Sequence, residues 1–468
     1  MLDLLPLFAM WKNSLASVNR LPPEVLTRVA RFLSHDDLYA GLRVCRYWYN
    51  VLMTPELWSD IDLDRVNAAT VFLSRSGGVP VDVKITRWPQ AAWQYFILSN
   101  CSSRIQSLDV SSSAVCKRLL NHFIHHQAPL LRSLRISHGR DSPVYHQLPS
   151  RFFTGHLPSL RTLSLTNISS DLTHFVLPNL TTFELESVTD SNATLSLFSL
   201  LGFLERSPRL ERLHIVYHSQ YDDKLIEERV VTLPHMKNVF IGGNPLTPTD
   251  TSHGLLAHLS LPPGVVVEVT IYVRGHDTDV VSLVVPSHHD LIPCTKSIKK
   301  IWFQRPSGNT CVMRFSGDNG VLNIFASWPG IYRGLAARAI CSFGSLDVSG
   351  VETLIVGSCG NTHEYFAQAL GTLTNLRSII LSHCDNGSLL NALHREGTSP
   401  RLRDLAIDFS HPRRADVTSL VEMARVRELR GQKLETLKLA LSNIVGDTSV
   451  LREHVGSLEE IGDVRIGW

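Results

Sequence analysis

Two clusters of histidines are the groups in this sequence with the clearest potential to bind a metal. Residues 122–126 contain three histidines, and residues 288–290 read His-His-Asp. Imidazole and carboxylate groups are zinc ligands, but the sequence has no His-Glu-x-x-His motif, which would place two histidines on one helix face. Because the chain has 21 histidines, short clusters arise by chance. We therefore interpret both clusters as solvated helix or loop residues and predict neither a metal nor a cofactor.

Nucleophilic and phosphate-binding motifs are also missing from the sequence. It contains no Gly-x-x-x-x-Gly-Lys-Ser/Thr loop, no Gly-x-Gly-x-x-Gly loop and no Gly-x-Ser-x-Gly elbow. The eight cysteines include no Cys-x-x-Cys pair and are too few for a disulfide framework in 468 residues, so we expect a reducing compartment. We predict that the protein is not an enzyme. A catalytic site hidden in the irregular middle of the chain is the remaining enzymatic hypothesis.

The charge balance gives no reason to expect a polyanionic partner. The chain has 45 Lys and Arg against 43 Asp and Glu, so neither nucleic acid nor an anionic membrane is expected as a partner. Three lysines within 296–300 are interpreted as solvated surface. No run of about 18 apolar residues occurs. The apolar segment 2–11 lacks preceding basic residues, so we interpret it as a docked segment rather than a signal peptide. The expected locations are the cytoplasm and the nucleus.

Residues 20–58 predict a small helical unit. Pro22 and Pro23 suit the first turn of a helix, where a missing N–H costs nothing, and Glu24 complements the positive end of the helix dipole. Residues 34–37, Ser-His-Asp-Asp, end this helix, and Asp36 or Asp37 can cap the next one. The helices carry apolar residues on more than one face, and a unit of about 40 residues without metal or disulfide rarely stands alone. We infer a docking module, although the helical end cap of a repeat array would show the same periodicity.

The same stretch resembles the F-box motif. The matching elements are Leu21-Pro22-Pro23-Glu24, Leu33, Asp37-Leu38, Val44-Cys45-Arg46-x-Trp48 and Leu57-Trp58, in the order and spacing of that family. The resemblance implies a three-helix hook that binds a Skp adaptor subunit and, through it, a cullin scaffold. Carried over by position, the residues expected to contact the adaptor are Leu21, Pro22, Glu24, Val25, Leu38, Val44 and Cys45. Those expected inside the hook or against the following domain are Trp48, Leu57 and Trp58.

A short phrase, apolar-x-x-apolar-x-apolar, recurs over most of residues 80–466. Neighbouring phrases mostly lie roughly 20–30 residues apart, a proline often precedes the phrase, and helical patterns lie between phrases. This alternation predicts an α/β solenoid with parallel strands on the concave face and helices on the convex face. It resembles leucine-rich repeats. The Asn or Cys that such repeats place after the strand is matched at Asn244, Cys359 and Cys384. It is not matched at Ser113, Gly139, Ile168, Val188, His218 and Ser410.

The middle of the array is irregular. Apolar runs flank Asp318-Asn319-Gly320, and Asn-Gly between such runs predicts a β-hairpin, here at about 310–326. A helix is expected to follow from Leu335 to Ile340. Two interpretations of this region remain open, a functional insertion and a merely irregular repeat. The predicted domains are an N-terminal segment 1–19, an F-box 20–60 and a leucine-rich-repeat solenoid 61–468, irregular or inserted at about 245–345.

The strand phrases also predict an outward-facing surface. Side chains alternate between the two faces of a strand, so the residue between the last two apolar positions of each phrase must point away from the core. Large aromatics occupy such positions on successive phrases, at Phe240, Tyr272 and Trp302. We predict that a target protein docks on them, with a charge preference set by Glu184, Glu186 and His214. The alternative is that the insertion covers the aromatics and makes them part of the core.

The resemblance implies a substrate receptor of a Skp–cullin–F-box ubiquitin ligase. In such a complex the F-box binds the adaptor, the repeats bind a target protein, and other subunits transfer ubiquitin. The chain would then act as a monomer within the complex. The alternative is a non-degradative scaffold that uses the same F-box and repeats for protein–protein interaction.

Overall fold

The computed structural model shows two compact units, Met1–Leu180 and Thr181–Trp468. The structure describes residues 16–86, 99–111, 127–138, 146–147, 157–169, 172–186, 196–216, 229–243, 251–273, 280–285, 291–307, 309–328, 346–357, 363–382, 386–395, 397–408, 415–440, 444–445 and 448–461. Several sequence predictions lie outside these residues: the helix from Leu335 to Ile340, both histidine clusters, most of the segment 1–19, and the repeat positions Asn244, Cys359 and Cys384.

The first unit begins with three short helices. These are α1, Pro23–Ala30; α2, His35–Gly41; and α3, Arg46–Leu52. A 3₁₀ turn precedes them at Ser17–Arg20, and another follows at Pro55–Trp58. We call this assembly of three helices and two turns the hook.

Local signals set the ends of the hook helices. Pro23 occupies the first turn of α1, where a missing N–H leaves no hydrogen bond unmade. The hydroxyl of Ser34 caps α2 by accepting a hydrogen bond from the backbone N–H of Asp37 at 3.2 Å. The sequence predicts a helix break at residues 34–37 with Asp36 or Asp37 as the cap. In the structure α1 already ends at Ala30, Ser34 is the cap, and Asp36 and Asp37 lie in the first turn of α2.

A fourth helix and a parallel sheet complete the first unit. The helix is α4, Val66–Arg75, and short 3₁₀ turns lie at Ser102–Arg104 and Leu172–His174. The strands are β1, Asp60–Asp62; β2, Val81–Ile85; β3, Ile105–Ser111; β4, Ser133–Ser137; β5, His146–Gln147; β6, Thr162–Thr166; and β7, Ile168–Ser169. In parallel and in this order, β1, β2, β3, β4 and β6 pair with one another, and β5 pairs with β7. Buried and exposed side chains alternate along β2, as in a strand with one face on a core.

The second unit contains the remaining strands and helices. Its strands are β8, Thr182–Glu186; β9, Arg212–Val216; β10, Val231–Thr232; β11, Asn238–Gly242; β12, Leu259–Ser260; β13, Val265–Tyr272; β14, Ile298–Ser307; β15, Thr310–Gly317; β16, Gly320–Ser327; β17, Thr353–Gly357; β18, Ser378–Ser382; β19, Asp404–Asp408; β20, Ala415–Asp416; β21, Leu434–Ala440; β22, Ile444–Val445; and β23, Val455–Ile461. Its helices are α5, Leu197–Glu205; α6, Thr251–Ala257; α7, His363–Thr372; α8, Asn386–His394; α9, Val417–Leu429; and α10, Leu451–His454, with 3₁₀ turns at Pro293–Thr295 and Thr448–Val450.

One long sheet dominates the second unit. Its strands lie in the order β8, β9, β11, β13, β16, β15, β14, β17, β18, β19, β21, β23, and every neighbouring pair is parallel except the two pairs made by β15. The small ladders β10–β12 and β20–β22 stand apart. Consecutive helices α7, α8, α9 and α10 pack against one another. The protein is thus a mixed α/β fold with a mostly parallel sheet after its helical start, as the alternation of strands and helices predicts.

The β-hairpin expected at about 310–326 is present. It consists of β15 and β16, which pair from Thr310–Ser327 down to Gly317–Gly320. The hairpin also changes the strand order, because β16 pairs with β13 and thereby separates β13 from β14. Gly320 closes its turn with φ +128°, and a Cβ atom there would overlap the backbone carbonyl oxygen of Val265.

Replacing Gly320 with valine should therefore lower the free energy of unfolding by roughly 2 kcal/mol or more. A β-branched residue is strained at this φ, and the overlapping carbonyl oxygen of Val265 belongs to the backbone of a paired strand and cannot move aside easily. Chemical denaturation of the full chain measures the change. Gly371→Ala is the matched control, since Gly371 lies in α7 at an ordinary φ with open space around it and alanine favours a helix. A hairpin variant as stable as this control would contradict the expectation.

A buried arginine fixes one helix of the second unit in a way that the sequence analysis does not anticipate. Arg427 of α9 is 1% exposed, and its Nη2 donates hydrogen bonds to the carbonyl oxygens of Ser399 at 3.1 Å and Leu402 at 3.4 Å. Burial lowers the pKa of the guanidinium to about 10. The Arg427 side chain thus donates hydrogen bonds to backbone carbonyl groups of the turn that leads into β19, and it gives up its own hydration to do so.

Candidate functional site: the hook and the sheet face

The hook has a small interior built from its three helices. Helices α1 and α2 both pack on α3. Leu26 and Ala30 of α1 are buried there, and so are Val51 and Leu52 of α3. Gly41 lets α2 approach α3 closely, because a Cβ atom at that position would overlap the side chain of Leu52.

Side-chain hydrogen bonds connect α3 to the segment before α1. The indole Nε1 of Trp48 donates to Oδ1 of Asn19 at 2.8 Å, and the Tyr47 hydroxyl donates to the backbone carbonyl oxygen of Leu21. Trp48 is half-buried, in keeping with the expectation that it lies inside the hook. The start of α1 is therefore positioned by residues of α3.

Large apolar side chains of the hook remain exposed. On α1, Val25 and Val29 lie one helical turn apart and are 41% and 48% exposed, and Phe32, just past the end of α1, is 92% exposed. Val44, between α2 and α3, is 54% exposed. Burying such groups against a partner is favourable, and exposed apolar patches commonly mark interaction sites. The exposed apolar residues of the hook, called here the hook surface, are Val18, Val25, Val29, Phe32, Val44 and Tyr49.

The residues predicted to contact the adaptor differ in their exposure to solvent. Pro22, Glu24, Val25 and Val44 are exposed, and Leu21 and Cys45 are partly exposed, so all six are accessible to a partner. Leu38 is corrected: it is 3% exposed and belongs to the interior of the hook, because its side of α2 faces inward. Helical spacing identifies Leu38 as apolar but does not tell which apolar face of a short helix is covered.

Val29, Phe32 and Tyr49 were not among the predicted contact residues. The signal that could have found two of them is the spacing of Val25, Val29 and Phe32, which share one face at i, i+4 and i+7, while Leu26 and Ala30 share the face that packs on α3. Two apolar faces on one helix require two partners.

Trp58 joins the hook to helix α4 within the first unit. Its ring is fully buried, and its Nε1 donates to the carbonyl oxygen of Leu52 at 2.7 Å. The ring meets Phe72 edge-on at 4.7 Å between centroids, and the guanidinium of Arg75 lies 4.3 Å from its centroid. Tyr39 of α2 also contacts both Trp58 and Phe72. These contacts hold the hook on α4.

Comparison with known protein families bears on this hook. Residues 18–64 match the family model described as F-box-like. The chain contains an F-box-like domain. F-box domains typically bind a Skp adaptor, and F-box proteins are generally non-catalytic, so the domain suggests an adaptor interaction of the Skp–cullin–F-box type. The matched segment runs from the first 3₁₀ turn to just past β1 and includes the whole hook surface.

Beyond the F-box-like domain, the second unit presents a row of side chains on one face of its sheet. Asn323 in this row is buried, Arg314 is exposed and the other five side chains are partly exposed. Register partners on adjacent strands point to the same face. From β8 to β14 the partners in this row, called here the central row, are Glu184, His214, Phe240, Glu268, Asn323, Arg314 and Trp302. The residues that flank them along each strand, such as Leu213 and Ile215 beside His214, are buried and form the core side. The expected outward positions are therefore outward for these strands.

The three predicted aromatics are not neighbours on the sheet face, and binding of a target protein to them stays a prediction. Trp302 is four strand positions from Phe240, or about 19 Å, because β13, β16 and β15 lie between their strands. Tyr272 lies four residues beyond Glu268, the register partner of Phe240, or about 13 Å along β13. All three rings are partly exposed, so they are not core residues either.

The acidic and histidine residues of the predicted site do lie together, at the β8 end of the row. His214 stacks on Phe240 with ring centroids 4.3 Å apart and an interplanar angle of 11°. Glu184 is the register partner of His214, and Glu186 is that of Val216. Further along, Asn323 donates from Nδ2 to Oε1 of Glu268 at 3.1 Å. This half of the face is acidic.

In the part of the chain that the structure describes, metal-binding side chains are not grouped, and three of the four described cysteines are buried. No set of three or more His, Cys, Asp or Glu side chains there could hold a metal ion. Cys101, Cys294 and Cys311 are buried, and burial raises the pKa of their thiols to about 11, about 12 and about 12. Such thiols stay protonated at neutral pH and are poor nucleophiles. Among the described helices, none is long and apolar enough to cross a membrane.

Proposed function

We propose that the protein is the substrate-recognition subunit of a Skp–cullin–F-box ubiquitin ligase. The supporting observation is that the F-box-like match at residues 18–64 coincides with the hook surface. Exposed apolar side chains cost free energy in water, and a partner that covers them recovers it. The match gives the chemistry of that partner, since F-box domains typically bind a Skp adaptor.

The adaptor would contact the exposed side of α1 and the segment between α2 and α3. Val25 and Val44 are the central contacts in this proposal, with Pro22 and Glu24 at the start of α1 and Leu21 and Cys45 at the edge. Phe32 and Val29 extend the same surface. Leu38 takes a supporting role inside the hook, since it has almost no exposed surface to offer.

The second unit would hold the target protein on the sheet face that carries the central row. We interpret its strand-and-helix pattern as leucine-rich repeats, the array expected from the sequence. The chain itself would contribute proximity: bound targets have a high effective concentration near the ubiquitin-conjugating enzyme that the cullin recruits. We expect one copy of the chain per complex, in the cytoplasm or nucleus.

Direct binding tests the proposal. The full chain, mixed with purified Skp adaptor, should form a one-to-one complex with a Kd of about 1 μM or tighter, measured by calorimetry and size-exclusion chromatography. Absence of binding at tens of micromolar (a Kd near 100 μM corresponds to about −5.5 kcal/mol) would contradict the adaptor role.

Turnover separates a degradative receptor from a scaffold. Proteins that co-purify with the chain from cells should accumulate when cullin activity is inhibited. In cells whose chain lacks the F-box-like domain, the same proteins should turn over no faster than they do under inhibition. Partners that bind but keep the same lifetime in both conditions would favour the non-degradative scaffold. Adaptor binding is expected in either case.

A further inference from the structure

Two cations flank Trp302 on the sheet face of the second unit. Arg314 of β15 is the direct register partner of Trp302 in β14, and Lys300 lies two residues before Trp302 on the same side of β14. Ser316, the register partner of Lys300, completes a four-residue square. Both cations are exposed, and Trp302 is partly exposed. The inserted hairpin creates this arrangement, because β15 belongs to it.

Other lysines of this sheet have anionic partners, whereas these two cations do not. Lys299 pairs with Asp318 at 2.6 Å, and Lys438 pairs with Glu459 at 2.6 Å. Within the described ranges, neither the Arg314 guanidinium nor the Lys300 ammonium group makes a side-chain hydrogen bond or ion pair. Their register partners on both sides are neutral residues: Trp302 and Asn323 for Arg314, and Ser316 and Thr353 for Lys300.

The rest of the row limits where an anion can bind. Glu268 is two strand positions from Arg314, about 10 Å away, and its carboxylate accepts the hydrogen bond from Asn323. Glu184 lies farther along the same row. An anionic group would be repelled from that half of the face and attracted to the pair of cations on β14 and β15.

We propose that Arg314 and Lys300 bind an anionic side chain of a partner protein, while the exposed part of the Trp302 ring packs against an adjacent apolar side chain. The anionic group is a carboxylate or a phosphoryl group; the planar guanidinium of Arg314 can donate two parallel hydrogen bonds to either, and Lys300 adds a second charge. The face supplies an aromatic anchor beside two cations, and Trp and Arg are favoured anchors at protein interfaces. The inference rests on the proposed function only in identifying this partner with the ligase target.

Synthetic peptide pools test the site directly. Three degenerate pools share a fixed leucine beside a fixed central residue, which is glutamate, phosphoserine or glutamine. Each pool is passed over the immobilised full chain, and the retained fraction is measured. We expect the glutamate or phosphoserine pool to be retained at least tenfold more than the glutamine pool, and retention to fall at least tenfold in Arg314→Glu and Lys300→Glu. If the phosphoserine pool alone is enriched, the group is phosphoryl; if the glutamate pool is enriched, a carboxylate suffices.

Arg425→Glu is the matched control, because Arg425 is an exposed arginine on helix α9 of the same unit. This variant should retain the anionic pools as the natural chain does. Equal retention of all three pools, or an equal loss in the control and in Arg314→Glu, would overturn the proposal. Thermal melting confirms that each variant is folded. If Arg314→Glu melts at a lower temperature than the natural chain, Arg314→Gln takes its place. Binding of the Skp adaptor by the same variants is measured in parallel, so a failure of the hook is distinguished from a failure of this site.

Discussion

Replacing both Val25 and Val44 with aspartate should weaken binding of a Skp adaptor by at least about 100-fold, or about 2.8 kcal/mol. Both side chains are about half exposed on the hook surface. Apolar anchors at interfaces can contribute roughly 2 kcal/mol each, and a carboxylate buried there without a partner adds a desolvation cost. The free chain should stay folded. Val25 lies in the first turn of α1, where a carboxylate is favourable, and Val44 lies between helices.

Val176→Asp is the control for this experiment. Val176 is 57% exposed in the first unit but lies outside the hook. Calorimetry with the purified adaptor should give an unchanged affinity for this variant, and the melting temperatures of both proteins should match that of the natural chain. If the double variant binds as tightly as the control, the adaptor contacts the chain elsewhere and the assignment of the hook surface fails.

The helical hook could be predicted closely from sequence because its boundaries are local. Pro23 acts through atoms within a few residues, so the start of α1 could be predicted without the fold. The start of α2 is equally local, although its cap is Ser34 and not Asp36 or Asp37, as the sequence suggested. The burial of Leu38 was not readable. It depends on how α2 packs against α3, and a short helix with apolar residues on two faces leaves that choice open.

The strands were also predictable, but their register and order were less so. In β13 every second residue from Val265 to Ile271 is buried, so the apolar alternation fits equally well when shifted by two. Thr270 lies between the last two apolar positions of its phrase, as Phe240 does in the preceding phrase, so the phrases align these two residues. The actual register partner of Phe240 is Glu268. Only pairing with β11 fixes that choice.

The hairpin shows the same limit at a larger scale. Asn319-Gly320 predicts the turn from two residues, and the turn is there. Its consequence, that β16 pairs with β13 and β15 with β14, depends on contacts between distant segments. This long-range pairing separates Trp302 from Phe240 and places Arg314 beside Trp302. Aromatic residues of successive phrases are therefore not neighbours in the sheet. The adjacency of Arg314 and Lys300 was invisible in the sequence, where the lysine belonged to an ordinary basic run.

Replacing Trp58 with alanine should lower the free energy of unfolding of the first unit by about 3–5 kcal/mol, the range typical of a buried tryptophan. The substitution leaves a cavity between the hook and α4 and removes the hydrogen bond to the Leu52 carbonyl. It also removes the ring over which Arg75 lies, and in the described structure Nη1 of that guanidinium is buried without a hydrogen-bond partner. After the substitution the nearer of the two aromatic rings beside this guanidinium is lost and only Tyr39, at 5.6 Å, remains, so the loss should lie toward the upper end of the range.

Two further variants separate these contributions to the stability of the first unit. Trp58→Phe keeps a ring against Phe72 but loses the hydrogen bond, and should cost about 1–2 kcal/mol. Tyr49→Ala, at a half-exposed aromatic of α3, should change stability by less than about 1 kcal/mol. Urea denaturation followed by far-ultraviolet circular dichroism gives the three values, independent of the number of tryptophans left. If Trp58→Ala is no less stable than Tyr49→Ala, the Trp58 ring does not anchor the hook. The position of the hook helices on α4 would then need another explanation. We expect the loss of stability to be largest for Trp58→Ala, which creates a cavity. It should be smaller for Trp58→Phe, which loses a hydrogen bond, and smallest for Tyr49→Ala, which loses only exposed contacts.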